Sequence, residues 1–216
     1  LVDRGIEAEL VWSDGQAGGA LDDRDDFTST RFSYTADRAA DGSRVTVRLV
    51  GEALGGFQIT RTLIVRDGSP VIEQALSIAN GSQKARRFWQ RNFFRPGGGD
   101  LGDTDIYYVA GPEGVIADAG LKGRHDAVSG WTGIIDGETG HGILAVVDLD
   151  LLEQFYYWRG SAVGPTVEWI GPEIPAGKQT EGRTWIVLTS AETEYSDQVV
   201  GKYVGRAHWA QREQLE

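Results

Sequence analysis

The sequence predicts an all-β fold, a large sandwich of two antiparallel sheets with a short C-terminal helix. Alternation of apolar and polar residues recurs along the chain, with turn residues about every 8 to 12 positions. Glycine supplies 30 of the 216 residues, about twice its usual share of ~7%, which is typical of many tight turns. We therefore expect about a dozen strands in one domain.

The strands follow from the alternation and from the turns between them. The clearest strand is 44–49, in which apolar and polar residues alternate strictly. A turn joins a strand at 57–65 to one at 71–78, because Gly68 permits positive φ and Pro70 fixes φ. The other predicted strands are 7–12, 30–35, 87–94, 106–109, 115–117, 131–135, 143–147, 155–159, 166–170 and 184–188.

The predicted helix starts from a capping-box pattern, with Thr189 as the cap and Glu192 three residues later. Tyr195, Val199 and Tyr203 then recur every four residues and give the helix an apolar stripe. We expect this helix to pack on the sandwich or to lead away from it.

The domain organisation is expected to be a β-sandwich at 1–190 and a helix at 191–214. The chain begins at Leu1 and contains no methionine, so we expect it to be a piece of a longer protein. The last two residues resemble a cloning scar and are left out of the fold prediction.

The charge and composition exclude several functional classes. The formal net charge is −11, which argues against a general nucleic-acid binder, since such a protein needs a basic surface. The chain has no cysteine, which excludes disulfides, thiolate catalysis and Cys-ligated zinc. No apolar run approaches the ~18 residues of a membrane span.

The wording of several strands resembles one family, the galactose-mutarotase-like β-supersandwich domains. The run 57–82 reads FQITRTLIVRDGSPVIEQALSIANGS and is similar to the central hairpin of that family. The runs RFWQRNFFRPGG and TVEWIGPEIPAGKQTEGRTWIVLTS are similar to its substrate-facing strand and to its closing strands. The resemblance covers about 44–190, and it implies a supersandwich fold and a carbohydrate-related function.

The resemblance also implies an acid/base pair that this sequence lacks. Mutarotases carry a histidine general acid on the strand matched by 89–94 and a glutamate base after the turn matched by Gly177. Here 89–94 reads WQRNFF, and Lys178 follows the turn. Arginine does not titrate near neutral pH, so it cannot replace the histidine. We expect no mutarotase activity, with Glu181 as the nearest substitute for the base.

A sugar site combines aromatic platforms with polar groups that bind hydroxyls. Alternation places Trp89 and Arg91 on one face of the 87–94 strand and Asn92 on the other. A second aromatic stretch, 155–159, offers another wall of the cleft or a ring on which an arginine stacks. The substrate-binding candidates are Trp89, Arg91, Asn92, Arg95, Trp158 and Arg159. The alternative is that these aromatic residues only pack in the core.

Three residues are weaker catalytic candidates. Glu168 lies beside a tryptophan, and an aromatic environment raises the pKa of a carboxyl group. His125 is expected in a loop, where it offers a base, and Glu181 follows the glycine turn. Each of them is equally compatible with a surface position, as are His141 and His208.

Metal sites receive only weak support. Asp100, Asp103 and Asp105 follow a glycine run, and oxygen-rich loops suit calcium. A second acidic group lies at 22–26, and neither group matches the EF-hand spacing, so solvated acidic loops are the alternative. No histidine pair has zinc spacing. No other cofactor is expected.

The sequence therefore favours a carbohydrate-recognising domain of a larger glycan-active or cell-envelope protein, without mutarotase activity. One alternative is an extracytoplasmic interaction domain resembling the periplasmic domain of the bacterial membrane-protein insertase. The other is a polysaccharide lyase or sugar epimerase with a rearranged acid/base pair. The expected partners are carbohydrate and the rest of the parent chain, without nucleic acid or a membrane span in this piece. The resemblance favours a periplasmic or secreted location.

Overall fold

A computed structural model of the chain describes residues 8–13, 23–26, 32–51, 56–93, 104–148, 154–159 and 166–205. These residues form strands β1 (Ala8–Ser13), β2 (Asp23–Asp26), β3 (Phe32–Arg38), β4 (Arg44–Gly51), β5 (Phe57–Arg66), β6 (Val71–Asn80), β7 (Arg86–Phe93), β8 (Ile106–Gly111), β9 (Gly114–Ala119), β10 (Gly123–Asp126), β11 (Trp131–Ile135), β12 (His141–Val147), β13 (Gln154–Arg159), β14 (Thr166–Ile174) and β15 (Gln179–Ser190), and helix α1 (Asp197–Val204).

The strands form two antiparallel sheets, which confirms the predicted all-β sandwich with a short helix. One sheet has six strands in the order β10-β13-β14-β7-β1-β2. The other has nine strands in the order β3-β4-β5-β6-β15-β12-β11-β8-β9. The predicted hairpin of β5 and β6 is present, and Gly68 in its turn has a φ of 67°. Only glycine adopts this conformation without strain.

The core between the sheets follows directly from strand alternation. Phe57 and Ile59 of β5 and Ile78 of β6 are buried on one face of the nine-stranded sheet. Phe155 and Tyr157 of β13 belong to the same cluster and come from the six-stranded sheet. The residues between them in sequence therefore lie on the outer face of each sheet.

The helix differs from the prediction because the β15 ladder continues through the predicted cap. Thr189 is paired with Gly142 in the sheet, so it does not cap a helix. The helix starts at Asp197, and the backbone N–H of Val199 donates to the side chain of its cap, Ser196. It ends at Val204 with Gly205 as its C-cap, and residues 206–214 of the predicted helix lie outside the described residues.

The structure corrects two loop predictions. Residues 23–26, expected in an acidic loop, form β2 and pair with β1. His125, also expected in a loop, lies in β10, which pairs with β13. Both strands have four residues, too few for an alternating pattern to stand out, so their pairing partners define them.

Candidate functional site

The outer face of the six-stranded sheet is the surface on which the predicted sugar-site strands meet. Tyr157 marks the inner face, because its hydroxyl donates to the carbonyl of Leu121 at 2.7 Å and its ring lies 5.3 Å from that of Tyr107. Tyr156 therefore lies on the outer face, by alternation along β13. We call this surface the outer face of the six-stranded sheet.

A row of charged positions crosses the whole sheet on this face. The strand register pairs Tyr156 with Asp126 on one side and with Glu168 on the other. Glu168 pairs in turn with Arg91. The complete row, strand by strand, is Asp126, Tyr156, Glu168, Arg91, Glu9 and Asp26. Four carboxylate-bearing positions thus flank one arginine and one tyrosine.

At the β10 end of this row, three side chains form a cluster. The Arg124 guanidinium carbon lies 4.0 Å from the centroid of the Tyr156 ring, which is a cation–π geometry. Two guanidinium nitrogens of Arg124 also donate to one carboxylate oxygen of Asp126, each at 3.3 Å. Tyr156 is buried, whereas the side chains of Arg124 and Asp126 are exposed. The cluster therefore presents both a donor and an acceptor to solvent.

The neighbouring rows supply the aromatic positions. Trp158 pairs with Arg124 and with Thr166, and Thr166 pairs with Phe93. In the row on the other side, Ile170 pairs with Trp89. A register shift in β14 follows this residue, and such irregularities locally increase twist. Aromatic positions thus lie on both sides of the charged row.

The register brings some of the predicted binding residues together and separates others. Trp89, Arg91 and Trp158 occupy positions on the same outer face, in strands β7 and β13. Asn92 and Arg159 occupy positions of the opposite parity, which alternation assigns to the inner face. Arg95 lies outside the described residues.

His125 lies apart from the outer-face row. It pairs with Tyr157, so its position has the parity of the inner face, and its ring centroid is 6.2 Å from that of Tyr157. Its Nε2 lies 2.9 Å from the carbonyl oxygen of Lys122. Because a carbonyl only accepts, Nε2 carries a hydrogen in this arrangement. His125, Arg91 and Glu168 therefore do not form one constellation.

The remaining catalytic and metal candidates lie elsewhere. Glu181 is in β15 of the nine-stranded sheet, where its Oε1 accepts a hydrogen bond from Gln179 at 2.8 Å. Asp105 is buried, and its carboxylate accepts from the backbone N–H of Gly137 at 3.3 Å. Asp100 and Asp103 lie outside the described residues.

The residues that the structure describes contain no group of three His, Asp, Glu or Cys side chains arranged to hold a metal ion. Within the same residues, no helix has the length and apolar character needed to cross a membrane.

The sequence did not identify Arg124 and Asp126 as site residues. They lie in the short strand β10, and their role depends on pairing with β13, more than 25 residues later in the chain. The aromatic stretch 155–159 suggested that an arginine stacks on one of its rings, with Arg159 as the candidate. The stacking that the structure contains joins Arg124 to Tyr156. Only the long-range register identifies that partner.

Comparison with family models and with curated protein sequences finds no match. Solved structures are more informative. A ligand-free α-N-acetylgalactosaminidase from Bifidobacterium bifidum matches at a TM-score of 0.56 and 12% identity over 97% of this chain and 33% of that chain. A Geobacillus stearothermophilus GH36 α-galactosidase variant in complex with stachyose matches at 0.53 and 10% identity over 93% and 32%. An α-galactosidase from Lactobacillus brevis matches at 0.51 and 9% identity over 97% and 32%. The chain thus spans about a third of each enzyme, and at this identity the likeness shows a shared β-sandwich fold.

Proposed function

We propose that this chain is a carbohydrate-recognising domain of a larger glycan-active protein, and that it binds sugar on the outer face of the six-stranded sheet. The observation that carries the proposal is the set of cross-strand rows on that face. They place Arg91 directly between Glu168 and Glu9, and they place Trp89 and Trp158 in the rows on either side.

This combination of residue types suits a sugar for two physical reasons. An aromatic ring packs against the apolar C–H face of a pyranose, and that contact buries area at little entropic cost. Sugar hydroxyls both donate and accept hydrogen bonds, so they need donors such as Arg124 and acceptors such as Asp126 within reach. A purely cationic face would only donate hydrogen bonds to each hydroxyl, and a purely anionic face would only accept them.

The comparisons support the proposal at the level of the fold. The matched structures are glycosidases, and in each of them the matched part is about a third of the chain. We infer that this chain is likewise one domain of a longer glycan-active protein. The positions of His125 and Glu181 favour binding over catalysis, because neither shares the outer face with Arg91 and Glu168.

Tryptophan fluorescence tests the proposal directly. The chain has seven tryptophans, so the signal is assigned by comparing the parent chain with a Trp158→Ala variant. We expect raffinose, stachyose or N-acetylgalactosamine to change the fluorescence saturably at millimolar concentration. Trp158→Ala is expected to weaken that binding by about tenfold or more.

The matched control is Tyr34→Ala, which removes an aromatic side chain that is 72% exposed on β3 of the other sheet. It is expected to leave sugar binding unchanged. An interaction domain that ignores sugars would show no saturable change with any member of the panel. That result, together with an unchanged response of Trp158→Ala, would overturn the proposal.

A further inference from the structure

A groove lies on the outer face of the other, nine-stranded sheet. It is a groove of about 680 Å³ formed by strands β4, β5, β6 and β15. Small-ligand sites have volumes of about 300–1,000 Å³, so the groove has the size of a binding site. None of the rows discussed for the six-stranded sheet contributes to it. We call it the polar groove.

The floor of the polar groove is made of small side chains on the two central strands. Thr62 of β5 pairs with Ala75 of β6, and Thr60 pairs with Ser77 in the next outer-face row. Hydroxyl and methyl groups leave depth between the longer side chains of the flanking strands. The floor is therefore open to a ligand and still offers polar atoms along its length.

The walls of the groove carry donors and acceptors in alternation. Arg48 projects from β4 on one side and is exposed. On the other side, β15 contributes Gln179, Glu181 and Arg183, all exposed. Arg183 donates to Glu73 at 2.8 Å. The buried carboxylate of Asp148 lines the same groove.

This lining selects among ligand classes. An anion would be attracted by Arg48 and Arg183 and repelled by Glu181 and Asp148, and the chain as a whole has a net charge of −11. A cation would be attracted by the two carboxylates and repelled by the two arginines. An apolar ligand would bury polar groups without partners, which costs free energy. A neutral ligand rich in hydroxyls satisfies both kinds of group, because each hydroxyl donates and accepts.

We propose that the polar groove is a second carbohydrate site, which holds an extended, neutral oligosaccharide through hydrogen bonds. The groove follows the strands from Gln179 to Arg183, and four steps of ~3.3 Å give it a length of about 13 Å. That length accommodates a chain of a few sugar units. The inference rests on the proposed carbohydrate function but names a different face and different residues.

The two sites differ in a way that an experiment separates. Among the described residues, those that line the polar groove include no aromatic side chain. Binding there is expected to leave tryptophan fluorescence unchanged, whereas backbone amide signals report it. We therefore propose ¹⁵N NMR titrations of the chain with cellotetraose, maltotetraose and a galacturonate tetramer.

The neutral tetrasaccharides are expected to shift the amides of 58–62, 75–79 and 179–183 saturably at millimolar concentration. Arg48→Ala is expected to weaken this binding by about tenfold. Arg44→Ala is the matched control, because it removes an exposed arginine from the same strand outside the groove. Both side chains are exposed, so both variants are expected to fold, and circular dichroism verifies this.

Three outcomes would overturn the inference. They are unperturbed groove amides with every neutral tetrasaccharide, equal weakening by Arg48→Ala and Arg44→Ala, and a clear preference for the galacturonate tetramer. The proposed function stands or falls separately. A fluorescence response that is lost in Trp158→Ala supports the proposed function even when the amides of the polar groove do not shift. If the groove amides shift and the fluorescence does not change, the proposed site on the six-stranded sheet is wrong and the proposed site in the polar groove is supported.

Discussion

The outer face of the nine-stranded sheet has two ends that differ completely, although the same strand, β15, contributes to both. At one end, Trp185 and Val187 of β15 are buried in a cluster beneath α1. Two residues earlier on the same face, Arg183 is exposed and lines the polar groove, as does Glu181. We call these the covered end and the open end. The boundary between them is a single step of the alternating pattern.

The covered end is closed by the segment that leads into α1. Tyr195 stacks on Tyr108 with ring centroids 4.1 Å apart, and its hydroxyl is 2.6 Å from that of Thr189. Gly133 lies directly beneath the Tyr195 ring, and a Cβ at this glycine would collide with it. The absence of a side chain at this position therefore permits the close contact.

The first residue of α1 anchors the helix to the sheet. The Asp197 carboxylate accepts from the indole N–H of Trp131 at 2.5 Å and from the Ser129 hydroxyl at 2.9 Å. Val200 is buried in the same cluster. The comparison of the two ends shows how a sheet face acquires a role. Where the outward positions are apolar, a helix covers them and they stabilise the fold, and where they are polar, they remain available to a ligand.

The largest expected effect is at the covered end. Trp131→Ala removes a side chain with no solvent exposure and leaves the Asp197 carboxylate without one of its donors. Large-to-small substitutions of this kind cost about 3–5 kcal/mol in the free energy of unfolding. For a chain of this size, each kcal/mol lowers Tm by about 2–4 °C. Urea and thermal unfolding measure both quantities.

The control for Trp131→Ala is Leu188→Ala, since Leu188 is a large apolar residue that is 53% exposed. It is expected to cost less than about 1 kcal/mol. Similar losses for the two variants would mean that the covered end is not a packed core, and the comparison of the two ends would fail.

The second prediction concerns pH at the covered end. Burial raises the pKa of Tyr195 from 10.0 to about 12. The folded state therefore disfavours the phenolate that the unfolded chain forms readily. Tyr195 contributes its full stability below pH 10, and the contribution is lost as the pH rises from 10 towards 12. The free energy of unfolding is expected to fall less steeply over this range in Tyr195→Phe than in the parent chain.

Urea unfolding at a series of alkaline pH values measures the slope. Tyr34→Phe serves as the control, because the Tyr34 side chain is 72% exposed on β3 and lies away from α1. It should reproduce the pH dependence of the parent chain. Identical slopes for all three proteins would show that Tyr195 is not desolvated at the junction with α1.

Local patterns predicted the framework of both ends. The strands β4, β5 and β6 and the turn at Gly68 could be predicted from the sequence, because each depends only on neighbouring residues. The start of the helix could not be predicted in this way. Thr189 and Glu192 satisfy a capping pattern, but Thr189 belongs to a β-ladder, and Ser196 is the actual cap. Tertiary pairing overrides a local signal of that strength.

The candidate site was predictable to the same limited extent. Alternation within β7 assigns Trp89 and Arg91 to one face, and the register with β14 continues without a break across both positions. It could not reveal that Arg91 lies opposite Glu168, because that contact joins strands more than 70 residues apart. The stacking of Arg124 on Tyr156 and the polar groove also depend on strand order, which the sequence does not display.

The smallest expected effect lies at the open end. Glu73 accepts from Arg183 at 2.8 Å and from Arg66 at 3.2 Å, but both arginine side chains are about half exposed. Solvent screens such pairs, so Arg183→Ala is expected to cost only about 0.2–1 kcal/mol. The cost should shrink further at ~1 M salt, where the Debye length is ~3 Å.

Urea unfolding at low and high salt measures this difference, with Arg44→Ala as the matched exposed-arginine control. A loss for Arg183→Ala as large as that of Trp131→Ala would show that the open end also holds the fold together. The polar residues of the open end would then be accounted for by their contribution to the free energy of unfolding. A small, salt-sensitive loss would mean that the fold has no structural need for an arginine in the groove, and ligand binding would then be the better account of its presence.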